Sequence, residues 1–246
     1  MLIVIPARGG SKGIIRKNLR SVHGISLTEW AIRSAIEISK RHPTTIRLSS
    51  DDAIILSIAN EYSDVTASQR PLDLSTDFVP DYQVLRHELR LAEENIGEEI
   101  HTTLLLQPTS PVRELVHLEQ AIRLVKNKTF SAVWSISEVP IKFHPRKQLQ
   151  IKEDELCLSV ESPLVIARQE LNPTYIRNGV CYAFSRSVIL SDEKLMGSNC
   201  GYIKVSSETF NVDDLSDLQN LRSRTIIDDG KLILKKSRVK CQKLQS

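Results

Sequence analysis

The sequence predicts an α/β fold of three layers, a mainly parallel sheet covered by helices on both faces. Three observations carry that expectation. Short apolar runs of strand length recur along the chain, stretches of helical periodicity lie between them, and no run approaches the roughly 20 apolar residues needed to cross a bilayer. Composition agrees: 246 residues with 41% hydrophobic and 26% charged side chains can bury a full core, which excludes a disordered or collagen-like chain.

The elements follow in order. Residues 2–5 are apolar and read as a buried strand, too short and too poor in basic residues for a signal peptide. Further strands are expected at 45–49, 102–106, 131–136 and 180–184. Between the first two, Leu27, Trp30, Ala31, Ser34, Ala35 and Ile38 share one helical face, and Ser26 with Glu29 has the spacing of a capping box. A second helix follows Asp51 with Ile54, Ile55, Ile58 and Tyr62 on its buried side. A third carries Tyr82, Leu85, Leu89 and Ala92, and a fourth Leu115, Leu118, Ile122 and Val125. The last begins near Asp213 and is expected to bury Leu215, Leu218 and Leu221. In such folds ligands sit beyond the carboxyl ends of the strands.

Residues 138–176 break the rhythm with four prolines and short alternating runs. This reads as an inserted β-rich arm, either a dimerisation element or a long loop. Net charge is +3, but residues 222–246 hold eight Lys or Arg against Asp228 and Asp229. We therefore divide the chain into a domain over 1–225 and a basic tail over 226–246. The tail attracts anionic partners or is simply a solvated terminus. Nucleic acid is not expected as the main partner, because no basic stripe interleaved with aromatics runs through the body. Four cysteines without a C-x-x-C pair fit free thiols and a cytoplasmic address, and no membrane span is expected. The histidines show no ligand spacing for zinc, and no nucleophile elbow suggests covalent catalysis.

The chemistry concentrates after the first strand, in Pro6-Ala7-Arg8-Gly9-Gly10-Ser11-Lys12-Gly13 followed by Arg16-Lys17-Asn18. The glycines are expected to free the backbone for positive φ and to bring N–H groups close to an anion, with Arg8, Lys12, Arg16 and Lys17 around it. Both the P-loop pattern and the dinucleotide fingerprint are absent, which argues against an NAD-dependent oxidoreductase. The loop is expected to wrap a polyphosphate with side-chain cations and amides.

These residues resemble a known family. Ile5-Pro-Ala-Arg-Gly-Gly-Ser-Lys-Gly-Ile14 with Arg16-Lys-Asn-Leu-Arg20 is similar to the N-terminal signature of the CMP-sialic acid synthetases (acylneuraminate cytidylyltransferases). Similar stretches follow in the same order: Leu48-Ser-Ser-Asp51, Arg70-Pro71, Leu104-Leu-Leu-Gln-Pro-Thr-Ser-Pro-Val-Arg113, Phe143-His-Pro145, Asn178-Gly179 with Tyr182, and Asn211-Val-Asp213.

The resemblance implies the Rossmann-like nucleotide-diphospho-sugar transferase fold and a reaction in which the anomeric hydroxyl of a sialic-acid-like (nonulosonic) sugar attacks the α-phosphorus of CTP, releasing pyrophosphate. It implies that Arg8, Gly9, Gly10, Ser11, Lys12, Lys17 and Asn18 hold the nucleotide, with Arg70 assisting, and that Gln107 contacts substrate. Arg8, Lys17 and Asp213 are the expected catalytic residues. Asp51 either contacts nucleotide or caps the next helix. Tyr182 is either a wall of the sugar pocket or a core aromatic, and His144 is structural.

Two departures stand out. The family's Asp-x-Asp pair reads Asn211-Val212-Asp213 here, which leaves Asp213 as the expected Mg²⁺ ligand and Asn211 as an uncharged one, while Asp214 and Asp217 start the last helix. The family's Arg-Pro-Asn-Gly run reads Ile176-Arg177-Asn178-Gly179, so Arg168 or Arg177 is expected to meet the sugar carboxylate. The alternatives are a nucleotidyltransferase using another triphosphate with a sugar 1-phosphate, or a non-catalytic nucleotide-sugar binding protein. A homodimer is expected.

Overall fold

The structure is a computed structural model and describes residues 1–11, 13–161, 169, 171–191, 194–206 and 208–235. Its elements appear in the expected alternation. Strand β1 (Leu2–Pro6) leads to a small hairpin of β2 (Ser21–Val22) and β3 (Ile25–Ser26), then α1 (Leu27–Ser39), β4 (Thr45–Ser50), α2 (Ala53–Ala59) and β5 (Val65–Gln69). Next come α3 (Asp81–Ile96), β6 (Thr102–Leu105), α4 (Leu115–Lys126) and β7 (Ala132–Glu138). The arm contributes β8 (Leu149–Lys152) and β9 (Glu155–Leu158), and β10 (Tyr175–Ser185), α5 (Arg186–Ser191) and β11 (Cys200–Lys204) follow. The last elements are α6 (Leu215–Arg224), β12 (Thr225–Asp228) and β13 (Lys231–Leu234).

Seven strands form the central sheet in the order β11-β7-β10-β6-β1-β4-β5. β1 runs parallel to β4 and β6, β4 to β5, and β7 to β11, while β10 is antiparallel to both neighbours. The side-chain period of two sorts β1 between two cores. Ile3 and Ile5 join Ile32, Ile38, Leu48 and Leu118 under α1, α2 and α4, whereas Leu2 and Val4 join Leu85, Leu89 and Phe184 under α3 and α5. That double burial is why β1 reads as a continuous apolar run. Ser26 accepts from Glu29 N while Glu29 accepts from Ser26 N, closing the expected capping box.

Three details differ from the sequence reading. Asp52, not Asp51, caps α2: its Oδ1 accepts from Ile54 N at 2.8 Å and Ile55 N at 3.2 Å. The helix therefore starts later, turning Ile55 and Ala59 inward and leaving Ile54 exposed. Leu215 is also exposed, because the Asp214–Asp217 capping box sets the phase of α6 so that Leu218 and Leu221 face the core. Third, residues 226–235, grouped with the tail by charge, complete the β12–β13 hairpin, whose Leu232 packs with Val22 and Trp30. Residues 236–246, including Cys241, lie outside the described residues. The arm read as β-rich forms its own hairpin around Glu153 and Asp154, both left-handed, and exposes Leu149, Ile151 and Leu156. His144 is buried there, bonded to Asn172 O and Arg146 N.

Candidate active site

The loops after β1, β5 and β6 and the segment before α6 meet beyond the carboxyl ends of the parallel strands. The glycine-rich loop is pinned by contacts far away in sequence. Gly9 N donates to Asp51 Oδ1 at 2.9 Å, so Asp51 contributes by holding this loop. Asn18 Nδ2 donates to the Arg8 carbonyl at 2.8 Å, and Thr28 Oγ1 donates to the Asn18 carbonyl at 2.9 Å. Positive φ falls on Arg16, at 52°, and on none of the loop glycines. Gly9 and Gly13 instead permit close approach: a Cβ on Gly9 would lie 2.7 Å from Asp52 Cβ, and one on Gly13 would lie 2.5 Å from the Asp213 carbonyl oxygen. The expectation of left-handed glycines is corrected accordingly.

A cleft of about 260 Å³ opens above this loop, lined by Arg8, Ser11, Lys17, Asn18, Arg70 and Gln107 among others. Arg16 is exposed outside it, and Lys12 lies outside the described residues. Arg8 pairs with Asp77 at 2.6 Å, and Lys17 Nζ with Asp213 Oδ1 at 3.0 Å. Arg70 is buried; it donates to Ser49 Oγ at 3.0 Å and to the Ser49 carbonyl at 2.8 Å, tying the cleft wall to the end of β4. Burial depresses its pKa, against the pull of Glu88 and Asp51.

Beside the cleft lies a smaller pocket of about 200 Å³, reached by Asp81, Gln107, Arg177, Tyr182 and Asn211. Its back wall is a bulge in β10, where the register with β7 shifts between Arg177 and Tyr182. The bulge satisfies itself: Asn178 Nδ2 donates to Ser137 Oγ, Asn178 Oδ1 accepts from Val180 N, and Gly179 N donates to Tyr182 Oη. Gly179 has φ 74°, and a Cβ there would stand 2.3 Å from Ser110 Oγ. Asn178 thus shapes the wall with both ends of its amide. Tyr182 is core packing with its hydroxyl at the pocket, edge-on to Trp134 at 5.9 Å. The Arg177 guanidinium lies over the Trp134 ring, 5.1 Å from its centroid. Ile176 is exposed outside the pocket, and Arg168 lies outside the described residues.

Three residues given no role by sequence reasoning complete the geometry. Asp77 faces Arg8. Asp81 Oδ2 accepts from Gln107 Nε2 at 3.1 Å, and burial raises its pKa despite Arg177 and Arg70. Although Asp81 is open to solvent on one side, the cleft walls crowd its carboxylate. Arg113, fully buried, donates to the carbonyls of Gln107 and Val180 and so clips the Gln107 turn onto the β10 bulge; burial lowers its pKa to about 10. The Pro80-Asp81 helix start and the last residue of the Gln107–Arg113 segment were the only local signals.

Asp213 and Asn211 stand together, with Asn211 Nδ2 2.6 Å from Asp213 Oδ2. The Asn211 oxygen faces Ser110 Oγ at 3.4 Å. Among the described residues no group of three or more His, Cys, Asp or Glu is placed to hold a metal. A single carboxylate still fits Mg²⁺ when phosphate oxygens and water complete its shell. A wider groove, about 870 Å³, opens beside Lys126 and Arg186 at the amino ends of the parallel strands, away from the phosphate loop.

Comparison with known proteins bears on this arrangement. The family model described as cytidylyltransferase matches residues 2–194. The chain is 27% identical over 229 residues to an N-acylneuraminate cytidylyltransferase of Streptococcus agalactiae, covering 92% of this chain and 54% of that protein. It is 27% identical over 221 residues to a CMP-N,N'-diacetyllegionaminic acid synthase of Campylobacter jejuni, covering 89% and 92%. The chain thus spans about half of the streptococcal relative and most of the campylobacterial one. In fold it matches CMP:2-keto-3-deoxy-manno-octonic acid synthetase complexed with CTP, with a TM-score of 0.65 at 15% identity, over 90% of this chain and 96% of that one.

Proposed function

Starting from the fact that the chain belongs to the cytidylyltransferase family, we propose that it transfers the cytidylyl group of CTP to the anomeric hydroxyl of a nonulosonic, sialic-acid-like sugar. The observation that carries this reading is the cleft itself. Two cations of the glycine-rich loop line it, Arg8 beside Asp77 and Lys17 beside Asp213 from the far end of the chain, and Gln107 stands between that cleft and a polar pocket of monosaccharide scale.

In this reading Arg8 and Lys17 leave Asp77 and Asp213 for the triphosphate and offset the charge that grows as pyrophosphate departs. Ser11 and the loop amides fix the phosphates in line with the attacking hydroxyl. The sugar oxygen forms a bond to the α-phosphorus, the bond to the bridging oxygen of the β-phosphate breaks so that pyrophosphate leaves, and the hydroxyl proton passes to solvent water. Arg177, planted over Trp134, offers its fork to the sugar carboxylate. Asp213 is the residue that holds Mg²⁺, with the Asn211 side chain beside it. The ion, when bound, neutralises phosphate charge.

The exposed Leu149, Ile151 and Leu156 of the arm support a homodimer, and thiols at Cys157, Cys181 and Cys200 rather than disulfides fit the reducing cytoplasm. Among the described residues no helix is long and apolar enough to cross a membrane.

The test measures pyrophosphate release with Mg²⁺, crossing CTP, GTP and UTP with sugar acids and sugar 1-phosphates. Release confined to CTP plus a sugar acid is expected. Release with a sugar 1-phosphate would move the reading to a different nucleotidyltransferase, and silence throughout would leave a binding protein.

A further inference from the structure

We propose that Asp81 is a specificity-determining residue of the sugar subsite, its carboxylate accepting a hydrogen bond from a hydroxyl or amide N–H of the sugar acid while Arg177 meets that acid's carboxylate. The proposal rests on the cytidylyltransferase reading above and narrows it to substrates that carry both an anion and a nearby donor.

Placement is the first argument. Asp81 opens α3 and lines both the nucleotide cleft and the smaller pocket, so it stands where the two substrates meet. Gln107, the other residue shared by both cavities that bonds it, donates to Oδ2 at 3.1 Å. That single bond orients the carboxylate and occupies one oxygen. Oδ1 has no hydrogen-bond partner among the described residues, and an ionised carboxylate has lone pairs for further donors.

The second argument is charge. Arg177 lowers the pKa of Asp81 by its field, yet the two form no ion pair within 4.0 Å among the described residues. Stacking on Trp134 holds Arg177 on its own wall. Opposite charges thus face each other across the pocket without closing it, the complement of a ligand with an anionic end and a donor-rich body. Such a pocket takes a sugar acid better than a neutral sugar, which leaves Arg177 unmatched.

The third argument is availability. Pro80, with no capping side chain, precedes Asp81, so Asp81 does not supply the N-cap bond of α3. Its residue stays exposed to solvent at the mouth of the two cavities, where a ligand can reach the carboxylate.

The experiment compares wild type with Asp81→Asn and Asp81→Ala in steady-state kinetics with CTP, Mg²⁺ and either N-acetylneuraminate or N,N'-diacetyllegionaminate, with thermal melting of each protein. Both variants are expected to raise KM for the sugar acid about tenfold or more, to leave KM for CTP within about twofold, and to melt no lower than wild type. A sugar-acid KM within about twofold of wild type would overturn the assignment. So would a rise confined to KM for CTP, or a lower melting temperature with both KM values raised, which would make Asp81 a nucleotide contact or a structural residue respectively. Wild type that releases no pyrophosphate with any sugar acid would instead strike the cytidylyltransferase reading and carry this one down with it.

Discussion

Lys17 Nζ lies 3.0 Å from Asp213 Oδ1, joining the loop after β1 to the segment before α6 across 196 positions of chain. The Asp213 side chain is 66% exposed, so solvent screens the pair and its contribution to stability is small. What the contact does is bring a cation and a carboxylate to one edge of the cleft. Removing either should therefore act on chemistry more than on folding.

Arg8→Ala and Lys17→Ala are each expected to lower turnover at least about a hundredfold, the loss that follows when one well-placed charged donor is missing from a transition state. Melting temperatures should stay close to wild type, because both side chains are partly solvated. Pyrophosphate release beside a thermal scan checks this. Near-normal turnover in either variant removes the loop from the reaction.

Asn211→Asp would set a second carboxylate next to Asp213, in place of an amide that now donates to it at 2.6 Å. Divalent-ion affinity is expected to rise several-fold, about tenfold at most, measured by titrating Mn²⁺ in the presence of CTP. Unchanged affinity would exclude position 211 from the ligand set.

The glycine loop offers a paired comparison. Gly13→Ala drives a Cβ against the Asp213 carbonyl oxygen, whereas a Cβ on Gly10 meets nothing within 4 Å. Gly13→Ala should cut turnover at least about tenfold by displacing the loop, and Gly10→Ala should be close to neutral by comparison. Equal effects would show that close approach to Asp213 is not what Gly13 provides.

Arg47 and Glu88 form a buried pair at 2.7 Å, with Ser68 donating to Glu88 and accepting from Arg47. Glu88→Ala strands the guanidinium and is expected to cost about 3–5 kcal/mol in urea unfolding. Replacing both partners with apolar residues of similar volume should recover much of the loss. A single variant as stable as wild type would contradict the burial of this pair.

Cys181 is fully buried and its thiol is pushed up to about 12 by desolvation. At pH 8 the thiolate is then about one molecule in ten thousand, and reactivity should appear only as the pH climbs toward that value or the fold opens. Mass spectrometry after iodoacetamide treatment should find native Cys181 unmodified while the half-buried Cys157 reacts. Equal labelling of the two in folded protein would refute it.

Much of the architecture is legible locally. Leu2 to Ile5 declare a strand buried on both faces, Ser26 with Glu29 declares where α1 begins, and Leu85, Leu89 and Ala92 declare the inner face of α3, because each pattern reports a period or a cap within a few residues. Periodicity alone does not set the phase where a neighbouring cap decides the start: Asp52 shifts α2 and exposes Ile54, and Asp214 turns Leu215 outward. At 226–235 charge suggests a tail, yet Leu232 anchors a hairpin, Lys231 lies 3.8 Å from Glu37, and Lys235 donates to the Ser223 carbonyl.

The residues of the glycine loop and of the Gln107–Arg113 segment were evident from the chain alone, since density of cations and glycines after a buried strand is a chemical statement in itself. Their reach was not. Only folding decided that Asp51 holds Gly9, that Asp213 crowds Gly13, and that Asp81 stands against Gln107 at the junction of two cavities. Those contacts span 26 to 200 positions. No period of two or 3.6 encodes a separation of that length; it is set when the sheet brings loop ends to one edge.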